Sequence, residues 1–314
     1  MYFFARTCYT VKKYFCRAKR RDTIMKKIVI LGCENSHANS FLGFIRDNKR
    51  FADVEVVGVY SDEKEAMEKV ATDFNVPTME NYDSAVGKVD GVVITARHGA
   101  NHYKYAAPYI SSGVPMFIDK PITVSEEDAL ALAKALKEYN VAVTGGSSCR
   151  HDKTVLALKA DAENKVNGDT VGGFVVCPLS SKMGYGGFYF YSQHLVEVVC
   201  DIFGRFPKSV QAFVSGENVN VVFHYENYDV NGTFVEGGFG CYYAVRAAKD
   251  GSKGGALVIN LDIFMAEWET FYGLLHGDKN EMSYEEFISP VFILNAIERS
   301  MKSGKEEKIN TYSV

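Results

Sequence analysis

The chain has 314 residues, of which 47% are hydrophobic and 24% are charged, and its formal net charge is −4. This length predicts two domains, and this composition is typical of a soluble globular protein with substantial cores. No apolar run approaches the roughly 18 residues that cross a bilayer, which argues against a membrane protein. The seven cysteines are dispersed without a Cys-x-x-Cys pair. Reduced thiols in a cytoplasmic protein are therefore favoured over disulfides or a zinc site.

Positive charge is concentrated at the amino terminus. Residues 1–24 contain seven Lys or Arg side chains against Asp22 alone, a net charge of +6 that leaves −10 on the rest of the chain. The acidic remainder predicts no affinity for nucleic acid. Because Met25-Lys26-Lys27 precedes an apolar run and looks like a start, we interpret 1–24 as an extension that is disordered or a misassigned start. A targeting peptide is the competing interpretation.

Between residues 25 and 148, apolar runs alternate with helical periodicities. Strands are predicted at 28–31, 54–60, 92–95, 115–118 and 141–144, the last of which is numbered as the sixth strand of the series. Helical spacing separates these runs, and Ser125 with Asp128 predicts a capped helix start. The alternation predicts an α/β fold, a Rossmann-type doubly wound parallel sheet with right-handed crossovers.

After residue 149 the pattern changes. Strands are predicted at 171–177, 209–215, 219–225, 239–245 and 256–261, with Asn231-Gly232 and Asp250-Gly251 as turn signals. Long helices are predicted only at 192–203 and 283–302. We therefore expect 149–314 to form an α+β domain with a mainly antiparallel open sheet that can dock against a twin.

Lys120 follows an apolar strand and precedes Pro121, which fixes the turn. Ligands of open parallel sheets bind in the crevice at the carboxyl ends of the strands, where this lysine is predicted to lie. A lysine whose pKa is lowered by burial can carry a proton to or from a hydroxyl or carbonyl. The alternative is a surface lysine in a rigid turn.

The order of several motifs from Met25 to Asn310 resembles the Gfo/Idh/MocA family of oxidoreductases. Asp119-Lys120-Pro121 is similar to the family's Glu-Lys-Pro, and His102 matches a histidine in the helix after the fourth strand. Cys149-Arg150-His151 falls where the family has an arginine, and residues 293–300 resemble its terminal helix. The resemblance implies a nicotinamide dinucleotide in the first domain, beside Thr95, His102 and Asp119, and a sugar or polyol derivative against the second sheet.

The dinucleotide fingerprint departs from the family pattern. A Gly-x-Gly-x-x-Gly loop uses its second glycine for close approach to the pyrophosphate and its third for helix packing. Here Gly32 keeps the first position, but Glu34 stands at the second and His37 at the third. Glu34 is expected to repel a pyrophosphate unless its side chain turns away. Asn35, Ser36 and His37 add side-chain donors to the amides of a helix start.

The end of the second predicted strand leaves the choice of cofactor open. NAD enzymes place an acid there for the ribose hydroxyls, whereas Ser61 takes that place here and Asp62 follows. Asp62 at the ribose would favour NAD, and Ser61 with Lys64 would admit NADP. The remaining alternative is that Asp62 only caps the next helix.

The second domain holds the other predicted catalytic group. The family carries Asp-x-x-x-His-x-x-Asp on a helix, and His194 matches the histidine, with Phe190 in place of the first acid and Glu197 in place of the second. Glu197 can contact His194 from position i+3. We predict that Lys120 and His194 face one cleft as catalytic residues. His98, Arg150, Tyr191 and Glu197 are predicted to contact the substrate.

No metal is predicted, although His98, His102 and His151 could converge near Lys120, because their spacing matches no ligand template. Gly184 to Gly187 with its tyrosines is either a substrate-facing loop or simple sheet filling. Trp268, the single tryptophan, is predicted to be core.

The leading hypothesis is a cytoplasmic NAD(P)-dependent oxidoreductase that acts on a sugar- or polyol-like hydroxyl or carbonyl by hydride transfer. Lys120 polarises the reacting oxygen and His194 exchanges its proton. In a variant of this hypothesis, the enzyme uses hydride transfer only transiently, for epimerisation or glycoside cleavage. The alternative is a catalytically degenerate family member that binds a metabolite or a partner protein. By resemblance, a homodimer or homotetramer forms through the C-terminal sheet.

Overall fold

The computed structural model describes residues 24–314, so the predicted extension 1–24 lies outside the described residues except for Ile24. Two sheets organise the described chain, and short 3-10 turns lie at Lys49–Phe51 and Ser148–His151. The elements are β1 Lys26–Leu31, α1 Ser36–Asp47, β2 Val54–Tyr60, α2 Lys64–Phe74, β3 Gly91–Ile94, α3 Ala100–Ile110, β4 Met116–Asp119, α4 Glu126–Glu138, β5 Val143–Gly146, α5 Lys153–Glu163, β6 Thr170–Leu179, α6 Phe188–Phe203, β7 Ser209–Ser215, β8 Asn218–His224, β9 Asp229–Glu236, β10 Tyr243–Ala248, β11 Gly251–Ala256, α7 Leu261–Leu275, α8 Tyr284–Ser303 and β12 Glu307–Lys308.

The first sheet is parallel and has the strand order β2-β1-β3-β4-β5. Its strands are apolar on both faces because helices cover both. Ile28 and Ile30 pack with α1 on one face, while Val29 and Leu31 belong to the cluster on the other face with α3 and α4. The predicted Rossmann-type doubly wound sheet is confirmed.

The numbering of the last strand was wrong. The first sheet contains five strands within residues 24–314, so β5 is the fifth and not the sixth. Between α2 and β3 the backbone pairs with the edge strand β2 at an isolated bridge between Val59 and Thr78. A single bridge does not make a strand, which accounts for the difference.

The second sheet has seven strands in the order β11-β10-β6-β9-β8-β7-β12, and only the pair β6–β9 is parallel. Helix α6 packs on one face. The predicted α+β arrangement with a mainly antiparallel open sheet is therefore confirmed.

Two predicted details of this half of the chain were wrong, and two helices were missed. Asn231-Gly232 is not a turn but lies inside β9. A Cβ on Gly232 would lie 2.9 Å from both Leu195 Cδ2 and Phe223 Cε2, so the glycine permits close packing of α6 on the sheet. Residues 256–261 are not a strand, because β11 ends at Ala256 and α7 begins at Leu261. Helices α5 and α7 were not predicted.

Helices α7 and α8 return to the first sheet. Trp268 and Phe271 of α7 are fully buried in the cluster that contains α1, which confirms Trp268 as core. Ile288 and Phe292 of α8 join the cluster on the opposite face. The boundary between domains 25–148 and 149–314 stays a prediction. Helices α7 and α8, which follow that boundary, complete the hydrophobic clusters on the two faces of the first sheet.

Residues 24–314 contain no helix that is both long and apolar enough to cross a membrane. The cysteines in this range are free thiols, namely Cys33, Cys149, Cys177, Cys200 and Cys241.

Candidate active site

A buried cavity of about 120 Å³ lies between the carboxyl end of the first sheet and helix α6. Both predicted catalytic residues, Lys120 and His194, line it. Tyr191 and the loop residues before α1 line the same cavity, together with side chains from the turn after β5. The full lining is Asn35, Ser36, His37, Lys120, Ser148, Cys149, Phe190, Tyr191, His194, Tyr242, Ile259 and Phe264.

Lys120 is placed at the end of β4 by a turn with a cis peptide bond before Pro121. Its ammonium Nζ donates to the Phe190 carbonyl at 3.3 Å and lies 4.3 Å from the centre of the Phe190 ring. Burial lowers the pKa of Lys120 from its ordinary value, and Asp119 opposes this shift. The amine is therefore closer to the range in which a lysine exchanges protons.

The imidazole of His194 is oriented by Ser147, whose Oγ lies 2.6 Å from His194 Nδ1. The backbone N of Cys149 donates to the same hydroxyl at 3.2 Å, and the second lone pair of the hydroxyl can accept from Nδ1–H. In that tautomer Nε2 keeps a free lone pair that can accept a proton. Burial lowers the pKa of His194 well below its ordinary value, and Lys120 and His37 lower it further. The side chain is thus a neutral imidazole.

Ser147 supplies the orientation that the family's first acid would give, and the sequence reasoning missed it. Phe190, which stands in the acid's place, instead packs its ring against Lys120. The only available signal was that Ser147 follows the last parallel strand, next to the predicted Cys149-Arg150-His151 motif.

A chain of buried polar groups lies behind the cavity. His37 is held between two carboxylates, with Nδ1 3.2 Å from Asp119 Oδ2 and Nε2 3.2 Å from Glu267 Oε2. Asn35 Nδ2 donates to the same Asp119 oxygen at 2.8 Å. Asp119 Oδ1 accepts from the backbone N of Lys120 at 2.6 Å. This row of buried polar groups therefore connects the first turn of α1 to the predicted catalytic lysine.

Burial and mutual electrostatic interactions shift the pKa values of these buried polar groups. Burial lowers the pKa of His37, but Asp119 and Glu267 outweigh it, so the pKa lies above its ordinary value. Burial raises the pKa of Glu267 to about 7, against the opposing effect of His37. His37 was predicted to offer a donor to a phosphate. Its side chain instead points inward to two carboxylates, where the charge attraction is strong.

Glu34 does not turn away from the crevice at the ends of β1, β2 and β3. Its Oε2 accepts from Ser61 Oγ at 2.6 Å, and its Oε1 accepts from the backbone N of Arg97 at 2.9 Å. Arg97 Nη2 donates to the Glu34 carbonyl at 2.6 Å, and Arg97 Nη1 donates to Tyr185 at 2.8 Å. The carboxylate thus spans the ends of all three strands.

Asp62 does not cap α2, because the N-cap residue is Glu63 and that cap has no side-chain hydrogen bond. Asp62 Oδ1 instead accepts from Tyr60 at 2.7 Å. Ser61 Oγ accepts from the backbone N of Glu63 at 3.0 Å while it donates to Glu34. Ser61 and not Asp62 therefore contacts the crevice loop.

Two residues predicted to contact substrate lie elsewhere. Glu197 does not contact His194; its carboxylate accepts from Gln193 at 3.1 Å and from Arg205 at 3.2 Å. Arg150 pairs with Asp201 through Nε at 3.4 Å. These side chains form a buried ion cluster that stabilises the junction of α6 with the turn after β5. The spacing i, i+3 allowed a contact with His194, but the charge of Arg205 attracts Glu197 away.

The remaining predicted residues support the site or lie at its edge. His102 is fully buried, and its Nε2 lies 2.7 Å from the Ala96 carbonyl. Thr95 Oγ1 donates to the Gly32 carbonyl at 3.0 Å, which joins β3 to the loop after β1. His98 is partly buried and lies beside Gly186 of the 184–187 loop. Within residues 24–314 no group of His, Cys, Asp or Glu side chains is arranged to hold a metal ion.

The crevice keeps the close-approach glycine of a dinucleotide-binding loop, but two of its donors are taken by the Glu34 carboxylate. Gly32 has φ +81°, and a Cβ there would lie 2.2 Å from the Ala96 backbone N, so only glycine lets the loop lie this close to β3. Ser61 Oγ and the Arg97 amide both donate to the Glu34 carboxylate. The Asn35 side chain caps Ser36 N at the start of α1, and the first-turn amides of a helix are the donors that bind anions in other proteins.

These features define an α/β protein with a Rossmann-type sheet and a buried lysine and histidine at its strand ends. Residues 26–147 match the family model GFO_IDH_MocA, described as "Oxidoreductase family, NAD-binding Rossmann fold". The resemblance to the Gfo/Idh/MocA oxidoreductases is therefore confirmed, and the match covers the first sheet and its helices. A search of curated proteins finds no match.

Solved structures of this fold resemble the chain over nearly its whole described length. Scyllo-inositol dehydrogenase from Lactobacillus casei, with bound NAD(H) and scyllo-inositol, has a TM-score of 0.79 at 14% identity and covers 91% of this chain and 100% of its own. Myo-inositol 2-dehydrogenase from Lactobacillus plantarum also has a TM-score of 0.79 at 14% identity, with 91% of this chain and 100% of its own chain covered. GenD2 from gentamicin A biosynthesis, in complex with NAD, has a TM-score of 0.77 at 15% identity and covers 98% of this chain and 100% of its own. At these identities the likeness shows the fold alone.

Proposed function

We propose that the protein is an NAD(P)-dependent oxidoreductase that acts on a hydroxyl or carbonyl of a sugar- or polyol-like molecule. The observation that carries this proposal is the single cavity lined by Lys120, His194 and Tyr191 at the carboxyl end of a Rossmann sheet. The inositol dehydrogenases among the similar structures support a polyol as the substrate class.

The roles of the side chains follow from their surroundings. Lys120 donates a hydrogen bond to the reacting oxygen and thereby polarises it. Its lowered pKa also allows the amine to accept or release a proton. His194 presents Nε2 to the cavity and exchanges the proton of the carbinol. Tyr191 packs against the His194 ring with centroids 5.1 Å apart and closes one wall.

A bound nicotinamide dinucleotide would supply the hydride acceptor or donor. Gly32 and the loop Glu34 to Ser36 would hold its adenosine and phosphate parts, with Thr95 fixing the loop. A whole dinucleotide exceeds a 120 Å³ cavity, since ligand sites usually measure some 300 Å³ or more.

The decisive experiment is a calorimetric titration of the purified protein with NAD and NADP, followed by spectrophotometric assays of cofactor reduction with a panel of polyols. We expect binding of at least one dinucleotide, and turnover with a polyol that Lys120→Met reduces by about 100-fold or more. Lys134→Met, at an exposed lysine of α4, is the matched control. Full activity in Lys120→Met would refute the assigned role.

The second candidate is a binding protein without turnover. The observation that favours it is the Glu34 carboxylate, which occupies the crevice and satisfies Ser61 and the Arg97 amide internally. Binding of a polyol without affinity for either dinucleotide would support this alternative.

We also propose a homodimer or homotetramer through the open face of the second sheet. Strand register places Phe174, Val176, Tyr243 and Val245 side by side on this face, and Phe174 and Tyr243 are exposed. Exposed apolar patches of this kind mark interaction surfaces. Light scattering should report an oligomer that Phe174→Glu dissociates; a monomeric wild-type chain would refute the proposal. A cytoplasmic location is proposed from the free thiols.

A further inference from the structure

The end of β2 lacks an acid of its own, but a carboxylate is nevertheless present there. Ser61 follows Tyr60, the last residue of β2, and its Oγ donates to Glu34 Oε2 at 2.6 Å. Dinucleotide folds that prefer NAD use an acid at this strand end to accept the ribose hydroxyls. In this chain the acid reaches the same place from the loop after β1.

The Glu34 carboxylate is held in a defined position. Oε1 accepts from the Arg97 backbone N at 2.9 Å, and the Glu34 carbonyl accepts from Arg97 Nη2 at 2.6 Å. Each carboxylate oxygen has a second lone pair beyond the bond it makes to Ser61 or Arg97. Because Glu34 is only partly buried, those lone pairs can accept hydroxyl donors from a ligand.

The charges around this position are unfavourable for an additional phosphate. Asp62, Glu63 and Glu65 follow Ser61, and only Lys64 among these residues is basic. The Arg97 guanidinium is already used by the Glu34 carbonyl and by Tyr185, and the Lys104 ammonium pairs with Asp62 at 3.7 Å. A 2′-phosphate would therefore meet a carboxylate and an acidic rim, whereas neutral ribose hydroxyls would meet acceptors.

We infer that Glu34 is the ribose-recognition acid of this protein, moved from the strand end to the loop, and that it selects NAD over NADP. This inference rests on the proposed dinucleotide function. It replaces the expectation from sequence that Glu34 weakens binding through repulsion of the pyrophosphate.

Calorimetric titrations of the full chain with NAD and with NADP test the inference. We expect the wild-type chain to bind NAD more tightly, and Glu34→Gln to weaken NAD binding by about tenfold while NADP binding is unchanged or improved. The double variant Glu34→Gln/Ser61→Asp returns an acid to the strand end and should restore the preference for NAD. Glu68→Gln, at an exposed acid further along α2 and outside that rim, is the charge-matched control.

The outcomes separate this inference from the proposed function. Equal or tighter NAD binding by Glu34→Gln would overturn the inference while the cofactor proposal stands, and would mean that Glu34 only fills the crevice. Absence of binding by the wild-type chain to either dinucleotide would overturn both. If Glu34→Gln fails to fold by thermal melting, Ser61→Ala keeps the charge and removes the anchor at Oε2. That variant should lower NAD affinity by about threefold or more, and unchanged affinity would count against the inference.

Discussion

Ser147 holds the imidazole of His194 by a hydrogen bond that the sequence motifs did not reveal. Its hydroxyl accepts a hydrogen bond from the Cys149 amide and lies 2.6 Å from Nδ1, which Cys149 Sγ approaches only to 3.5 Å, so the Ser147 hydroxyl is the shorter of two neutral contacts that orient the ring. We expect Ser147→Ala to lower kcat by about fivefold with little change in dinucleotide affinity, because a neutral hydrogen bond contributes about 1 kcal/mol. Steady-state kinetics and calorimetry on the same preparation measure both.

Ser192→Ala provides the control for that measurement. Ser192 lies on the same helix as His194, is fully buried, and its Oγ has no hydrogen-bond partner among the described residues. Removing this hydroxyl should leave kcat unchanged. An equal loss in both variants would show that any small change in α6 lowers activity, and the specific role of Ser147 would be wrong.

Glu267 makes the stability of the fold depend on pH. Burial raises its pKa from 4.5 to about 7, so between these values the folded state keeps a proton that the unfolded state releases. The free energy of unfolding therefore falls as the pH rises through this window. Glu267→Gln mimics the protonated acid and removes the dependence. We expect the wild-type chain to lose up to about 3 kcal/mol relative to the variant between pH 5 and pH 8.

Urea unfolding at both pH values measures this difference. Titrating groups distant from Glu267 contribute equally in both proteins and cancel in the comparison. His37 does not cancel, because Glu267 raises its pKa, so the difference reports the pair of Glu267 and His37. Parallel pH dependences of the two proteins would contradict the assigned pKa direction and would mean that Glu267 is ionised throughout beside His37.

At the scale of elements, the strands of the first sheet were predictable because their apolar runs are short, continuous and buried on both faces. Helix α7 was not predictable, since the apolar residues that precede it suggested a strand at 256–261. The turn predicted at residues 231–232 was wrong for a related reason. Asn-Gly favours a turn locally, but close packing against Leu195 requires a glycine inside β9. The positions of Glu34 and His37 depend on partners such as Ser61 and Glu267 that are distant in sequence. Residue type alone does not reveal such pairings.

The packing of α6 on β9 is therefore sensitive to one methyl group. Gly232→Ala places a Cβ 2.9 Å from Leu195 Cδ2 and Phe223 Cε2, which is closer than the contact distance of carbon atoms. We expect the variant to lose about 2 kcal/mol of unfolding free energy, measured by urea denaturation. Gly43→Ala in α1 meets nothing within 4 Å and should stabilise the chain by about 0.5 kcal/mol or more. A neutral Gly232→Ala would mean that α6 shifts freely on the sheet.

At the scale of the whole molecule, the two halves of the chain share their cores. Helix α7 packs Trp268, Phe271 and Leu275 against the face of the first sheet that carries α1, and α8 covers the other face. A first domain that ended at residue 148 would leave both faces of its sheet partly uncovered. Burial of such large side chains contributes about 2 to 3 kcal/mol each, so the halves should not unfold independently.

Trp268 is the single tryptophan and lies at this shared core, so its fluorescence reports the docking of α7 on the first sheet. We expect urea unfolding followed by tryptophan fluorescence and by far-ultraviolet circular dichroism to give one coincident transition, because neither half retains a complete core alone. Trp268→Phe supplies the tyrosine background for the fluorescence signal. A fluorescence midpoint at clearly lower urea than the dichroism midpoint would contradict this expectation, since α7 would then detach as a separate unit while the sheets persist.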